Sequence, residues 1–218
     1  MPKSLLFSTI LLLFFAVGTF AQQDDEDAQS WNDVQVTVPI NKKVDFTLYG
    51  TLRFGSNLTQ VSEGRVGAGF GFHISKAFSV TPSYLAIAAR NSAGRFHDEH
   101  RLSLRGTYKF PTKGFALAHR STYEYRVRTA GNSWRYRAAL VLDKKLPEKF
   151  IPKSKLFVIE EVFYVSTTKK FSRNRFSVGI SKELDKHLTL ELYYLRQNDG
   201  YSHPGDLNVI GTSWKIHL

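Results

Sequence analysis

The chain has 218 residues, with 30 lysines and arginines against 19 acidic residues, a formal charge of +11 and no cysteine. The length suits one domain. The missing thiols exclude disulfides, thiolate metal sites and cysteine catalysis, and the basic balance narrows the partners to nucleic acid, anionic lipid or an anionic solute.

Residues 1–21 read as a signal peptide. Lys3 gives the positive start, Leu5 to Val17 is apolar apart from Ser8 and Thr9, and Thr19-Phe20-Ala21 fits a small-x-small cleavage site. The apolar run is shorter than the ~20 residues a spanning helix needs. Export removes nucleic acid from the partners, and so does the spacing of the cations, which follow strand parity instead of gathering in a patch. Residues 22–30, with the acidic stretch Asp24 to Asp27, read as a short exposed tail, and residues 31–218 as one mature domain with no run apolar enough for a transmembrane helix.

Strand patterns then follow one another between turn signals. Trp31 to Ile40 alternates through Val34, Val36, Val38 and Ile40. Further strands are expected near 44–54, 65–74, 77–89, 99–110, 114–128, 132–143, 155–165, 171–184, 187–197 and 207–218. Tight turns at 75–76, 111–113 and 184–186 alternate with richer stretches at 55–64, 90–98 and 198–206, which places the former on the periplasmic side of a barrel and the latter outside. Residues 143–155, with Pro147 and Pro152, form a long inner turn. Segment 31–40 leaves the count open between ten and twelve: it is an extra strand starting at the outer end, or folds into the lumen, or accompanies a further strand.

The clearest segment is 100–110. Arg101, Ser103, Arg105, Thr107 and Lys109 take one parity, and Leu102, Leu104, Tyr108 and Phe110 take the other. Successive strand side chains point to opposite faces, so each strand has an ionic and an apolar face. About ten such strands behind a secretory leader indicate an all-β fold: a transmembrane antiparallel up-and-down β-barrel of 10–12 strands with a charged lumen, in the bacterial outer membrane. A soluble periplasmic β-protein with a polar-lined cavity is the alternative. Aromatics near the strand ends, among them Tyr108, Phe110, Tyr123, Trp134 and Trp214, suit interfacial girdles. The final strand, Ile210 to Leu218, resembles the signal read by the barrel-assembly machinery. The expected partners are therefore the lipid bilayer and that machinery. Segment 77–89 fits poorly, because Leu85 and Ile87 share the parity of Ser79, Thr81 and Ser83; a bulge near Pro82 would restore its register. Gly67, Gly69 and Gly71 leave room for bulky neighbours across the lumen.

The lumen parity collects Arg105, Arg120, Glu124, Arg126, Arg137, Glu161, Arg175 and Glu191, with Arg53, Arg65, Arg101, Arg135 and Asp143. Ions in so narrow a barrel must pair, hydrogen-bond or stay wet. Arginine forks holding Glu124, Glu161, Glu191 and Asp143 make a structural network; an excess of cations on the same face makes an anion-preferring pore. His119 and Ser121, two apart on the lipid face, match the His-x-Ser pair of outer-membrane phospholipases and lipid A deacylases, which gives a lipid-modifying hydrolase as a second function. No acid or amide on strand 132–143 is placed to orient His119. No metal spacing, phosphate loop or acid–base pair stands out, so neither metal nor cofactor is expected, the protein reads as a non-enzyme, and the solute is unspecified.

His119-Arg120-Ser121-Thr122-Tyr123-Glu124-Tyr125-Arg126 resembles the HR-x-R-x-E-x-R signature of a bacterial family, domain of unknown function twenty-four-ninety, whose members are predicted outer-membrane barrels. Trp31, Arg135-Tyr136-Arg137, Glu161-Val162-Phe163, Asn174-Arg175-Phe176-Ser177-Val178-Gly179 and Leu192-Tyr193-Tyr194-Leu195-Arg196-Gln197 are similar to its further pieces, in order, over most of residues 30–218. Thr122 stands where the signature has its second arginine. The resemblance implies barrel and location, supplies no activity, and accounts for His119 without a catalytic serine. A small porin or a structural envelope protein with an arginine-rich lumen is the expected function.

Overall fold

The computed structural model describes residues 26–91 and 93–218; the expected signal peptide, and the tail as far as residue 25, lie outside them. The chain forms eleven strands: β1 (Glu26–Asn41), β2 (Val44–Gly55), β3 (Gln60–His73), β4 (Phe78–Arg90), β5 (Phe96–Phe110), β6 (Ala116–Arg128), β7 (Ser133–Lys145), β8 (Ser154–Val165), β9 (Lys170–Glu183), β10 (Leu188–Asp199) and β11 (Asp206–His217). They close into one barrel in which each strand pairs with its neighbours in sequence. Closure leaves no strand edge, the condition for β-structure in lipid.

Every sequential pair is antiparallel, but the seam is not. β1 and β11 run parallel, from Glu26↔Asp206 to Thr37↔His217. An odd number of up-and-down strands forces this, so an all-antiparallel barrel is corrected at one pair. Of the three roles left open for 31–40, the extra strand is the one observed. That strand also starts earlier than expected. Residues 26–30 belong to β1, not to the tail, because Asp27 is buried and accepts the backbone N–H of Asn57 at 2.6 Å and of Ser56 at 3.1 Å. Its carboxylate ties the start of β1 to the β2–β3 turn.

We call the rim formed by the β1–β2, β3–β4, β5–β6, β7–β8 and β9–β10 turns the lower rim, and its opposite the upper rim. The loops expected at 55–64 and 90–98 shrink to 56–59 and 91–95, since Gln60–Gly64 and Phe96–Asp98 extend strands. The longest connection, 146–153, lies on the lower rim. Loop length therefore does not distinguish the two sides.

Polarity is inverted relative to a soluble protein. Leu102 is 56% exposed and Leu104 53%, whereas Arg101 is 4% exposed and Glu124 2%. The outer face is the apolar one, as a membrane-spanning barrel requires. The bulge expected in β4 is absent: β4 pairs with β5 in unbroken register from Phe78↔Tyr108 to Arg90↔Phe96. Leu85 and Ile87 instead turn into the lumen, where Ile87 is buried. Gly67 makes this possible, since a Cβ there would collide with the Leu85 side chain and the Tyr84 carbonyl. The glycine thus accommodates its neighbour on the adjacent strand, and not a group across the lumen.

Candidate functional site

The alternation of each strand carries its odd- or even-numbered polar residues to one lumen. There they surround a cavity of about 440 Å³. Ten arginines and four carboxylates (Asp33, Glu63, Glu161 and Glu191) line it, with Trp31, Tyr49, Phe157 and Tyr193 among the aromatics. At the upper end Trp31, Leu195, Leu207 and Val209 form an apolar cluster that narrows the lumen from the seam side.

Around the lumen the charges pair closely. Glu124 lies between Arg135 at 2.6 Å and Arg137 at 2.9 Å, with Arg101 at 4.0 Å. Arg137 spans two strands, because its Nη2 also donates to both oxygens of Glu161 at 2.8 Å. Glu99 accepts from Arg101 Nε at 2.8 Å and from Arg126 Nη2 at 2.6 Å. Glu63 takes Arg53 at 3.0 Å and also Arg65, and Arg173 Nε reaches Asp199 at 2.7 Å. Charge-assisted forks of this kind satisfy buried carboxylates without water. Aromatic faces hold the guanidinium planes. Phe163, fully buried, has Arg135, Arg137, Arg173 and Arg175 within 5.7 Å of its ring centre, and Arg53 lies 3.5 Å from that of Trp31. Arginine tolerates this setting because it is weakly hydrated and stacks on aromatics.

Three of the ten arginines lining the cavity have no carboxylate within 4.0 Å among the described residues; Arg128, on the same parity at the upper rim, also lacks one and donates Nη2 to Ser133 Oγ at 2.9 Å. Arg105 Nε donates to Thr122 Oγ1 at 3.4 Å, Arg175 Nε donates to Gln197 Oε1 at 2.8 Å, and Arg120 has no such partner. All three line the cavity. Thr122, in the place of the signature's arginine, thus serves a neighbouring arginine as acceptor.

Two expected arginine forks are corrected. Glu191 is held by Lys215 at 2.6 Å and Asp143 by Lys155 at 3.0 Å. Both sit toward the lower rim, where solvent reaches the strands and lysines replace arginines. Glu191 also borders a second cavity of about 290 Å³ at that rim, lined by Lys145, Lys153, Lys155 and Lys215. The sequence reading missed Glu63, Glu99, Arg173 and Phe163. Parity could have found Glu99 and Arg173, which alternate with Arg101 and Arg175; Glu63 was lost when β3 was started too late.

His119 and Ser121 lie on the outer face. His119 Nε2 and Ser121 Oγ are 2.9 Å apart, and Ser121 Oγ is 2.9 Å from the Tyr136 hydroxyl. No hydrogen-bond partner meets His119 Nδ1 among the described residues; its cross-strand neighbours are Tyr108 and Leu140. Ser121 is the sixth of thirteen residues in β6, which puts it at mid-strand, flanked by Gly106 and Ala138.

The family described as "Protein of unknown function (DUF2490)" matches residues 28–208. No curated protein matches the chain. Among solved structures, LpxR from Salmonella typhimurium superposes with a TM-score of 0.53 at 8% identity, over 84% of this chain and 87% of that one. The NanC porin gives 0.48 at 10% identity, over 88% and 99%. An anion-selective porin from Comamonas acidovorans gives 0.38 at 9% identity over 78% of this chain, which spans only 55% of that one. At these identities the likeness is one of fold: a β-barrel of the outer-membrane type.

Proposed function

The chain belongs to this family of unknown function, and from that premise we propose that it is a small porin-like barrel of the outer membrane whose lumen admits anions. One observation carries the reading: ten arginines face four carboxylates around a single cavity, and Arg105, Arg120 and Arg175 have no carboxylate within 4.0 Å among the described residues. Confined like charges repel, and the repulsion is strong where little water screens them. An entering anion relieves it. A guanidinium fork matches carboxylate or phosphate oxygens in pairs, so oxyanions fit these arginines better than halide does. The apolar cluster at the upper end narrows the lumen and supports a low unit conductance. Export on the 1–21 leader and insertion by the barrel-assembly machinery through the last strand belong to the same proposal.

Planar bilayers under a potassium chloride gradient test it. The reversal potential should take the sign of anion preference, and Arg105→Gln with Arg120→Gln should move it toward zero. A barrel that inserts stably yet stays electrically silent would leave a structural envelope protein in place of the porin.

A second reading, a lipid-modifying hydrolase, is favoured by the 2.9 Å contact between His119 and Ser121. Against it stand the lack, among the described residues, of a partner to orient His119 and the mid-strand depth of Ser121, far from lipid ester groups. Lipid turnover that disappears in Ser121→Ala would make it the function.

A further inference from the structure

Lysine and arginine are segregated along the barrel axis. Of the fifteen lysines among the described residues, thirteen lie in the lower-rim turns or within two residues of a strand's lower end; Lys169 and Lys170 alone sit at the upper rim. No arginine comes within three residues of a lower strand end. Each of the five lower turns carries at least one lysine: Lys42, Lys76, Lys113, Lys149 and Lys186, all exposed. The collar is therefore circumferential. Of its thirteen ammonium groups only those of Lys155 and Lys215 have a carboxylate within 4.0 Å among the described residues, and both are on lumen-facing parity. On the lipid-facing parity Lys144 follows Leu142 and Lys182 follows Ile180, so each ammonium stands just past the apolar band. They donate to the carbonyls of Gly114 at 2.7 Å and Pro152 at 3.0 Å, not to acids.

We propose that this lower rim is a docking collar for the phosphate headgroups of anionic phospholipids. Lysine suits the task, being a strongly hydrated point charge on a flexible stem that can lie along apolar surface while its head reaches the interface. Positive side chains within a Debye length of an anionic membrane surface are drawn to it. A protein or cell-wall partner would ask for a one-sided patch; a charge in every turn fits what surrounds the barrel on all sides. The collar supplies the sidedness that loop length does not, placing the lower rim in the leaflet that contains anionic phospholipid.

The test uses the full-length barrel reconstituted in vesicles of phosphatidylcholine with one-third phosphatidylglycerol, released into mild detergent for native mass spectrometry. The wild type should retain phosphatidylglycerol several-fold over its share in the vesicle, and the excess should fall as salt is raised. The variant Lys76→Gln/Lys113→Gln/Lys144→Gln/Lys182→Gln should lose the excess, while Lys169→Gln/Lys170→Gln at the other rim should keep it. Equal retention of the two lipids by the wild type, or an excess that survives the fourfold change, overturns the proposal. So does an excess that the upper-rim change removes as well, or binding to purified peptidoglycan without any preference among lipids. If the fourfold variant fails to insert, the salt dependence and the upper-rim variant decide.

Discussion

Tyr193 occupies a notch left by Gly211. The two are cross-strand partners, and a Cβ on Gly211 would run into the tyrosine ring. On the other side Tyr193 is partnered by Gly179, whose Cβ would come within 2.6 Å of Tyr193 Cβ and of Phe157 Cζ. One row of the lumen thus alternates large and small as Phe157, Gly179, Tyr193 and Gly211. Rings laid over facing glycines in this way lock strand register. From the notch the Tyr193 hydroxyl donates toward Asp33 at 3.4 Å, crossing β11 to reach the parallel seam.

Gly211→Ala should therefore expel the ring and destabilise the barrel by about 1–3 kcal/mol, the usual cost of overpacking. The heat-modifiable band in SDS gels should convert at a lower temperature. Adding Tyr193→Leu should recover part of the loss, because the colliding ring is gone; no recovery would mean that the notch is not the cause.

Glu124 and Glu191 are both lumen carboxylates, but their environments differ. Glu124 is 2% exposed and holds two arginines, so Glu124→Gln strands buried guanidinium charge and should cost about 3–5 kcal/mol. Glu191 bonds to Lys215, a third exposed, at the wetter end, and Glu191→Gln should cost about 1 kcal/mol or less. Urea midpoints in the same detergent compare the two; equal shifts would contradict the division of the lumen into a packed upper and a wet lower part.

The β9–β10 turn should respond to pH. Backbone N–H groups of His187 at 2.6 Å and Leu188 at 2.9 Å donate to Asp185 Oδ1, and the bond from His187 foremost holds the Asp185 carboxyl below the usual aspartate range. A lowered folded value means that the turn is supported above the ordinary aspartate pKa and loses that support as pH falls through the folded one. Amide exchange at His187 and Leu188 should accelerate at acid pH after correction for intrinsic rates, and Asp185→Ala should show the acid behaviour at neutral pH.

Ser121→Ala should leave barrel stability nearly unchanged, since the hydroxyl faces outward and, among the described residues, bonds only His119 and Tyr136. Thermal conversion in SDS gels measures this, and a large drop would mean that the trio helps to hold the barrel together.

Much of the barrel was legible because strand parity is local. Leu102 and Arg101 declare opposite faces from their sequence alone, and the same alternation set most strand positions. The motif His119 to Arg126, together with the further pieces that follow it in order, carried the resemblance to the family whose model matches residues 28–208. Strand ends were less legible, since they depend on partners far away: Asp27 extends β1 only because it meets the turn at Ser56 and Asn57. The absent bulge in β4 has the same origin. Leu85 looks misplaced until Gly67, across the pair, is seen to leave it space.

Sequence by itself determined that this chain builds strands with one ionic and one apolar face, because alternation needs nothing beyond a period of two. It could not determine how the barrel closes. The parallel seam between β1 and β11 arises only when all strands are counted around a ring. Nor could it say which charge meets which. That Arg137 joins Glu124 to Glu161 while Glu191 falls to Lys215 follows from the stagger of neighbouring strands, and the stagger is fixed by pairings between residues far apart along the chain.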